Sequence, residues 1–447
     1  MLLQNATVMC RTVFLLLIRN IEVCNVLSRM LFFQKKIKTT MIQNTFKICF
    51  VSLFILIAIN FKTNAQIEQN SAKKTLSVLD YNKLVYVKEN KNSTQFSSLY
   101  KQLLEDADKA LHEGPFSVVD KTQIPPSGSK HDYISLGPYW WPDPNKSDGL
   151  PWIRRDGEIN PLTRGTSTDE TTKDKMFHNT NTLAMAYFFS DKKQYAKKAL
   201  ELLKVWFVNE DTKMNPNLDF AQGIPGLNTG RGIGIIEFAG ITNIIAAIEI
   251  LELSKEMDAE TSKSLRLWFS DYLNWLQTSE NGIFEKNTKN NHATHYDTQI
   301  VSILLFLNRD NEAKEVLEAV KTLRIAKQIQ PNGEQPHELE RTKAMSYSTM
   351  NLKGFTELAF LGKKVNVDLW NYEAENGASI KKAYEFLKPY AEGKKDWNYK
   401  QIGDLDKAQH KLKQLFVLAG SEFNVEAYCK IGLDKDVEAS SLLYFCN

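Results

Sequence analysis

Cysteine is scarce where it would matter for folding. Of five cysteines in 447 residues, Cys10, Cys24 and Cys49 lie in the first 50 positions, leaving only Cys429 and Cys446 further on. That excludes a disulfide-dense scaffold, although these two could pair in an oxidising compartment or stay free, since spacing alone does not set geometry. Long apolar runs are missing from the start of the chain, where the stretches 13–18 and 48–61 both fall short of the roughly 20 residues of a spanning helix. Cys49 precedes its apolar run and so is not placed as a lipid-anchor site. Neither an HExxH pair nor a Gly-Lys-Ser/Thr phosphate loop is present. No motif recurs at a fixed period, which speaks against a tetratricopeptide-type array, and strand-like alternation is rare.

What is present is an ordinary globular composition, 43% hydrophobic and 24% charged, with enough length for a large core. The net charge of +3 is misleading. Residues 1–65 hold eight Lys/Arg and a single acid, Glu22, so the remainder carries −4 and has no nucleic-acid signature. Met41 opens a secretory signal: Lys47, an apolar stretch, then Thr63-Asn64-Ala65 as a small-residue cleavage site before Gln66. The expected layout is a mis-assigned upstream extension over 1–40, a cleaved signal over 41–65 and one domain over 66–447. The product is then periplasmic or secreted, with no stable membrane insertion.

Past the signal, apolar residues recur at helical spacing. Helices are expected over 96–112, 171–189, 193–208, 233–253, 259–277, 296–307, 312–329, 347–361, 380–390 and 404–419. Short polar links such as Ser190-Asp191-Lys192 make neighbours fold back as antiparallel hairpins, and a series of hairpins curves into a ring. The fold expected is all-α: an incomplete (α/α)n toroid of about five to seven hairpins in a single domain.

Between the first helix and the rest lies a segment, 114–170, too long for an idle loop. Its centre sets Tyr139, Trp140 and Trp141 between Pro138 and Pro142, which stiffen the backbone. Aromatic faces on a stiff loop suit stacking on sugar rings, or simply cover the core. Further on, Gln222 to Gly232 has the glycine content of a loop lying close to a ligand. Within it, Arg231 could grip a carboxylate bidentately or pair with Glu237.

Two polar runs, each directly before a helical pattern, carry the chemistry. One is Asn290-Asn291-His292 with His295 and Tyr296 following; the other holds Glu338, Glu340, Arg341 and Tyr347. Amide, imidazole, guanidinium and phenol are the groups needed to neutralise a uronate carboxylate, remove the adjacent C5 proton and protonate a departing glycosidic oxygen. Duller readings exist: helix starts favour Asn and Asp, and surface Arg–Glu pairs are common. His292 and His295 are three apart, but no third ligand completes a metal site. No metal or other cofactor is expected.

The blocks HDYISLGPYWWPDP, NNHATHYDTQ and ELERTKAMSYSTMNL resemble those of the alginate lyase superfamily of α/α-toroid polysaccharide lyases, especially its family 38 branch. The similarity spans about Ser77 to Leu418. The resemblance implies Asn291, His292, Arg341 and Tyr347 as the catalytic set, with help from His178, Asn179 and Asn181, of which 178 and 181 share a helical face. In the related family 5 enzymes the Arg and Tyr lie one residue further apart. The expected substrate is an acidic polysaccharide, mannuronate-rich alginate or glucuronan, with Tyr139, Trp140, Trp141, Gln222, Arg231, His295 and Tyr296 also touching it. Arg341, six positions before Tyr347, is expected to lower the phenol from its ordinary pKa of about 10 so that it can act as a base. One Tyr serves as base and acid only where proton and leaving oxygen share a face of the ring, as in mannuronate. For glucuronate or guluronate, where the two are expected on opposite faces, His292 is the base and Tyr347 the acid. The rivals are a hydrolase using two of Asp143, Asp148, Asp297 and Glu338, and a non-catalytic glycan binder. Oligomeric state is not readable from the sequence.

Overall fold

The computed structural model describes residues 76–431 together with 442, 443 and 445. The extension 1–40, the signal segment 41–65, and Cys10, Cys24, Cys49 and Cys446 lie outside the described residues. Cys429 is disulfide-bonded. Helix makes up 59% and strand 4%, as expected for an all-α chain.

The helices are α1 (Tyr81–Asn90), α2 (Ser97–Ala110), α3 (Glu170–Ser190), α4 (Lys193–Phe207), α5 (Ile241–Leu253), α6 (Ala259–Thr278), α7 (Glu280–Lys286), α8 (Asn291–Phe306), α9 (Asp310–Val320), α10 (Pro336–Leu339), α11 (Ala344–Lys364), α12 (Ile380–Ala391), α13 (Leu405–Phe423) and α14 (Glu426–Ile431). An inner row runs α3, α5, α8, α11, α13, each packed on the next. Outer helices back it, α4 on α3, α9 on α8, and α12 on both α11 and α13. This is the arc of an α/α toroid.

The two rows differ in sequence for a physical reason. Outer α4 buries one stripe, Tyr195, Ala196, Ala199, Leu202, Leu203 and Trp206, at the three-to-four spacing of a single helix face. Each large side chain in that stripe contributes about 1.5–3 kcal/mol by leaving water. Inner α8, covered on several sides, buries every residue from Asn291 to Phe306 except His292. A helix this enclosed has no reason to show an imidazole at its start unless the surface there is used.

Two expected helices are interrupted. The stretch 233–253 begins as a 3-10 turn, Gly232–Phe238, and becomes α5 only after Gly240. The glycines explain it: a Cβ at Gly234 would stand 2.5 Å from that of Ala221, and one at Gly232 2.7 Å from the Phe284 ring. The stretch 312–329 passes through a π turn, Lys321–Ile325, which points Arg324 at buried Asp297, 2.8 Å away. Asp297 is thereby a structural ion-pair partner.

The long segment 114–170 is a built surface. β1 (Ile134–Leu136) pairs in parallel with β4 (Phe220–Gly223), and β2 (Trp140–Trp141) pairs antiparallel with β3 (Ile153–Arg154). Just beyond β3, Gly157 in the left-handed region (φ 79°) passes so close to Thr342 that a Cβ would meet its hydroxyl at 2.5 Å. The segment is thus pinned to the start of α11.

Candidate active site

The first turn of α8 presents Asn291 and His292. Asn290 at its N-cap is extended and makes no side-chain cap. Glu338 of α10 does the capping, accepting the Asn291 backbone N–H and Nδ2, both at 2.6 Å. Burial pushes the Glu338 carboxyl up, while the Asn291 bonds and the charges of His292 and Arg341 pull the other way. Because Glu338 feels both His292 and Arg341, it ties the two polar runs into one site.

His292 is oriented from behind. Its Nδ1 lies 2.7 Å from Oε1 of Glu285 on α7, a carboxylate whose side chain is 1% exposed. A carboxylate can only accept there, so Nδ1 carries the hydrogen, and Nε2 is the nitrogen that holds the lone pair whenever the ring is neutral. Nε2 makes no hydrogen bond among the described residues. Imidazole backed by carboxylate, with the other nitrogen open, is the arrangement of a general base.

Tyr347 stands in the first turn of α11 with Arg341 stacked on its ring, the guanidinium carbon 3.9 Å from the centroid. Arg341 Nη2 donates to the Tyr347 hydroxyl at 2.9 Å, and that hydroxyl donates to Tyr139 at 2.8 Å. Asp156, from the loop after β3, accepts from Arg341 Nη2 at 2.8 Å and Nε at 3.2 Å, and from the Thr342 hydroxyl at 2.9 Å. Burial works against the Asp156 charge, but the bonds from Arg341 and Thr342 hold its carboxyl well below the ordinary range.

The expectation that Arg341 lowers the Tyr347 phenol is corrected by this geometry. Burial and then the Tyr139 hydroxyl drive it well above its ordinary value, outweighing Arg341. Asp156 offsets the guanidinium charge, so the resting group is a neutral phenol that can donate a proton. The start of α11 is held by a strand-like partner that sequence reasoning missed: Lys400 O accepts Ala344 N at 2.9 Å, and Gln401 bonds Met345 N and Ser346 Oγ.

The aromatic loop lines up with cations. Arg231 lies over Trp140 at 5.8 Å and Arg155 over Trp141 at 5.0 Å. Gly137 is required beneath them, since a Cβ there would sit 2.7 Å from Trp140 and 2.9 Å from Arg231. Arg231 does not pair with Glu237. It donates to the Gln222 backbone carbonyl at 2.9 Å and side-chain oxygen at 3.0 Å, with Gln222 held at φ 50°. Burial, then the nearby charge of Arg154, pull Arg231 down to about 10. Glu237 instead accepts from Tyr133 and Ser135 inside the fold.

Other expected contacts fall elsewhere. His295 and Tyr296 lie one turn inside α8, only 2% and 3% exposed. His295 Nε2 bonds the Met350 carbonyl and the Tyr296 hydroxyl donates to that of Leu276, so both side chains brace the helix from inside. On α3, Asn179 is buried and donates to Glu113. His178 is exposed and Asn181 half-buried, and neither bonds any site residue. Helical spacing put 178 and 181 together, and both stay clear of the hydrogen bonds that tie Asn291, His292, Arg341 and Tyr347 to their partners. Sequence reasoning also missed Glu285 and Asp156; the Arg155-Asp156-Gly157 turn was the one visible sign of the latter. Among the described residues no group of three His, Cys, Asp or Glu is arranged to hold a metal.

A family model described as alginate lyase matches residues 117–397. Among solved structures, an alginate lyase from Bacteroides ovatus superposes with a TM-score of 0.79 at 37% identity, covering 83% of this chain and 98% of its own. A histidine-to-alanine variant of alginate lyase A1-III complexed with tetrasaccharide gives 0.51 at 16% identity, covering 78% and 94%. Alginate lyase A1-III from Sphingomonas species A1 gives 0.50 at 15%, with the same coverage. At those identities the likeness concerns the fold. Among curated proteins there is no match.

Proposed function

The chain belongs to the alginate lyase family and is a polysaccharide lyase; from that footing we propose that it cuts mannuronate-rich alginate by β-elimination, leaving unsaturated uronate ends. The observation carrying this reading is the Tyr347 hydroxyl, held between the Arg341 guanidinium and the Tyr139 hydroxyl. Arg341 would supply N–H groups to the uronate carboxylate, spreading its charge and making the C5 proton removable, while Asn291, 1% exposed and bonded to Glu338, would act by holding the start of α8 in place. Burial of Glu338, which pushes it toward the neutral form, lessens repulsion of that carboxylate.

Tyr347 then gives its proton to O4 as the C4–O4 bond breaks. In mannuronate, where H5 and O4 share a face, Tyr347 also takes the C5 proton. The grouping of glucuronate with guluronate is corrected by its stereochemistry: it differs from mannuronate only at C2, so H5 and O4 share a face and glucuronan suits the same route as mannuronate. The His292–Glu285 pair favours a second reading, in which guluronate linkages are cut with Nε2 of His292 as the base and Tyr347 as the acid.

A hydrolase reading finds little support. Glu338, Asp156 and Glu285 are each turned onto a protein partner, Asp297 onto Arg324, and Asp143 and Asp148 onto turns of their own loop. None is set across a gap from another. Incubation with polymannuronate, polyguluronate and glucuronan separates the classes: a lyase raises ultraviolet absorbance together with reducing ends, a hydrolase raises reducing ends alone, and a binder changes neither. We also place the enzyme in the periplasm or outside the cell, through cleavage of 41–65. N-terminal sequencing of the exported protein should then begin at Gln66, and a start at Met1 or Met41 contradicts it.

A further inference from the structure

The ribbon of β2 and β3 has two faces, and the cations around it sort between them. Trp140 stands opposite Arg154 and Trp141 opposite Ile153, and a bond from the Arg155 N–H to the Tyr139 carbonyl at 2.8 Å carries the ladder one pair further. Facing pairs alternate sides along such a ribbon. Trp140 and Arg154 therefore share one side with Arg231, which lies over Trp140 and feels the Arg154 charge. Tyr139, Trp141, Ile153 and Arg155 share the other, the side on which the Tyr139 ring reaches Tyr347.

Two cations lie on this second side. Arg155, exposed, stands over Trp141 at 5.0 Å, and Lys343, half-buried at the N-cap of α11, stands over Tyr139 at 6.0 Å. The Lys343 backbone is fixed by its bridge to Gln401. Among the described residues neither cation makes an ion pair. Asp156, next to Arg155 in sequence and bonded to the Thr342 hydroxyl, is committed to Arg341 and Arg154. A cation resting on a ring keeps its charge while its long side chain is held still, so gripping an anion costs less freedom. Aromatic faces with unspent positive charge, set beside the reacting phenol, suit a chain of uronates in which every ring brings a carboxylate.

We propose that Lys343, with Arg155 beside it, binds the carboxylate of a uronate unit adjoining the one that reacts, while Arg341 holds that of the reacting unit. This rests on the reading of Tyr347 as the reacting group. Lys343 carries more of the grip, because solvent screens a half-buried charge less than the exposed one of Arg155.

The test is titration calorimetry of polymannuronate into Tyr347→Phe, which leaves the polymer whole, and into the same protein carrying Lys343→Met, Lys343→Arg or Arg155→Gln. Lys343→Met should weaken binding about tenfold, Arg155→Gln about two- to threefold, and Lys343→Arg should recover most of the loss. The loss should shrink as salt is raised. Unchanged affinity in Lys343→Met overturns the proposal, as does a loss that Lys343→Arg fails to recover, or an equal loss toward dextran sulfate, which marks a general polyanion surface. Turnover of polymannuronate by Tyr347→Phe itself, read by absorbance, sinks the catalytic reading and the subsite with it, so the two failures appear in separate assays.

Discussion

At the scale of single residues, the site works through partners placed behind the groups that would touch substrate. Glu285 is a positioning residue of this sort, fixing which nitrogen of His292 is free. Glu285→Gln should cut polyguluronate turnover about ten- to hundredfold, the effect of one hydrogen bond to a charged group, and affect polymannuronate less, because in the proposed mechanism His292 is the base only for the former. Equal losses on both polymers, measured as initial absorbance rates, would show that Glu285 merely supports the fold. Asn291, His292, Arg341 and Tyr347 could be singled out in the sequence because they stand in two compact polar runs before apolar helices and because those runs resemble the family's blocks. Their partners were not. Asp156 is 185 positions from Arg341 and Glu338 47 from Asn291, and an acid at such a distance looks like any solvated surface charge.

At the scale of elements, the loop following β3 and the start of α11 behave as one piece. Asp156 takes two bonds from Arg341 and bonds from Thr342, and Gly157 leaves no room for a side chain against Thr342. Asp156→Ala should therefore lower Tm by several degrees, consistent with about 1–3 kcal/mol for a lost half-buried charged partner in a chain this large. It should also move the acid limb on polymannuronate to lower pH, because Arg341 then faces Tyr347 without an offsetting carboxylate. An unchanged Tm would show that the loop is not anchored there. The helices themselves could be read from apolar spacing, and most were. The 3-10 turn before α5 and the π turn after α9 could not, since close approach of Ala221 and Phe284 in one case and the Arg324–Asp297 pair in the other decide them. For the same reason His178, Asn179 and Asn181 could be grouped on one helix, whereas the turn of Asn179 onto Glu113 could not be read.

At the scale of the whole molecule, the inner row of the toroid encloses polar groups that make stability depend on pH. His295, inside α8, has its pKa drawn down from 6.5 to about 4, chiefly by burial, against a raising effect from Glu357. The unfolded chain takes up that proton below about 6.5, while the folded one resists until about 4. Stability is therefore full above 6.5 and falls as pH drops through this window, by about 3 kcal/mol at most. Tm should decline from pH 6.5 toward 4, and His295→Gln should flatten that decline; an identical slope in the variant would assign it to other groups. The same enclosure that buries His295 leaves His292 as the one residue of α8 that is not buried, so the arc itself presents the imidazole proposed as a base. That phenol is the centre of the mechanism, and the decisive measurement is the initial rate of absorbance increase for Tyr347→Phe beside the unaltered enzyme on polymannuronate and polyguluronate. A correctly folded variant should lose roughly a thousandfold or more on both, since proton donation to O4 is common to the two routes. Retention of activity within tenfold on either polymer would contradict it.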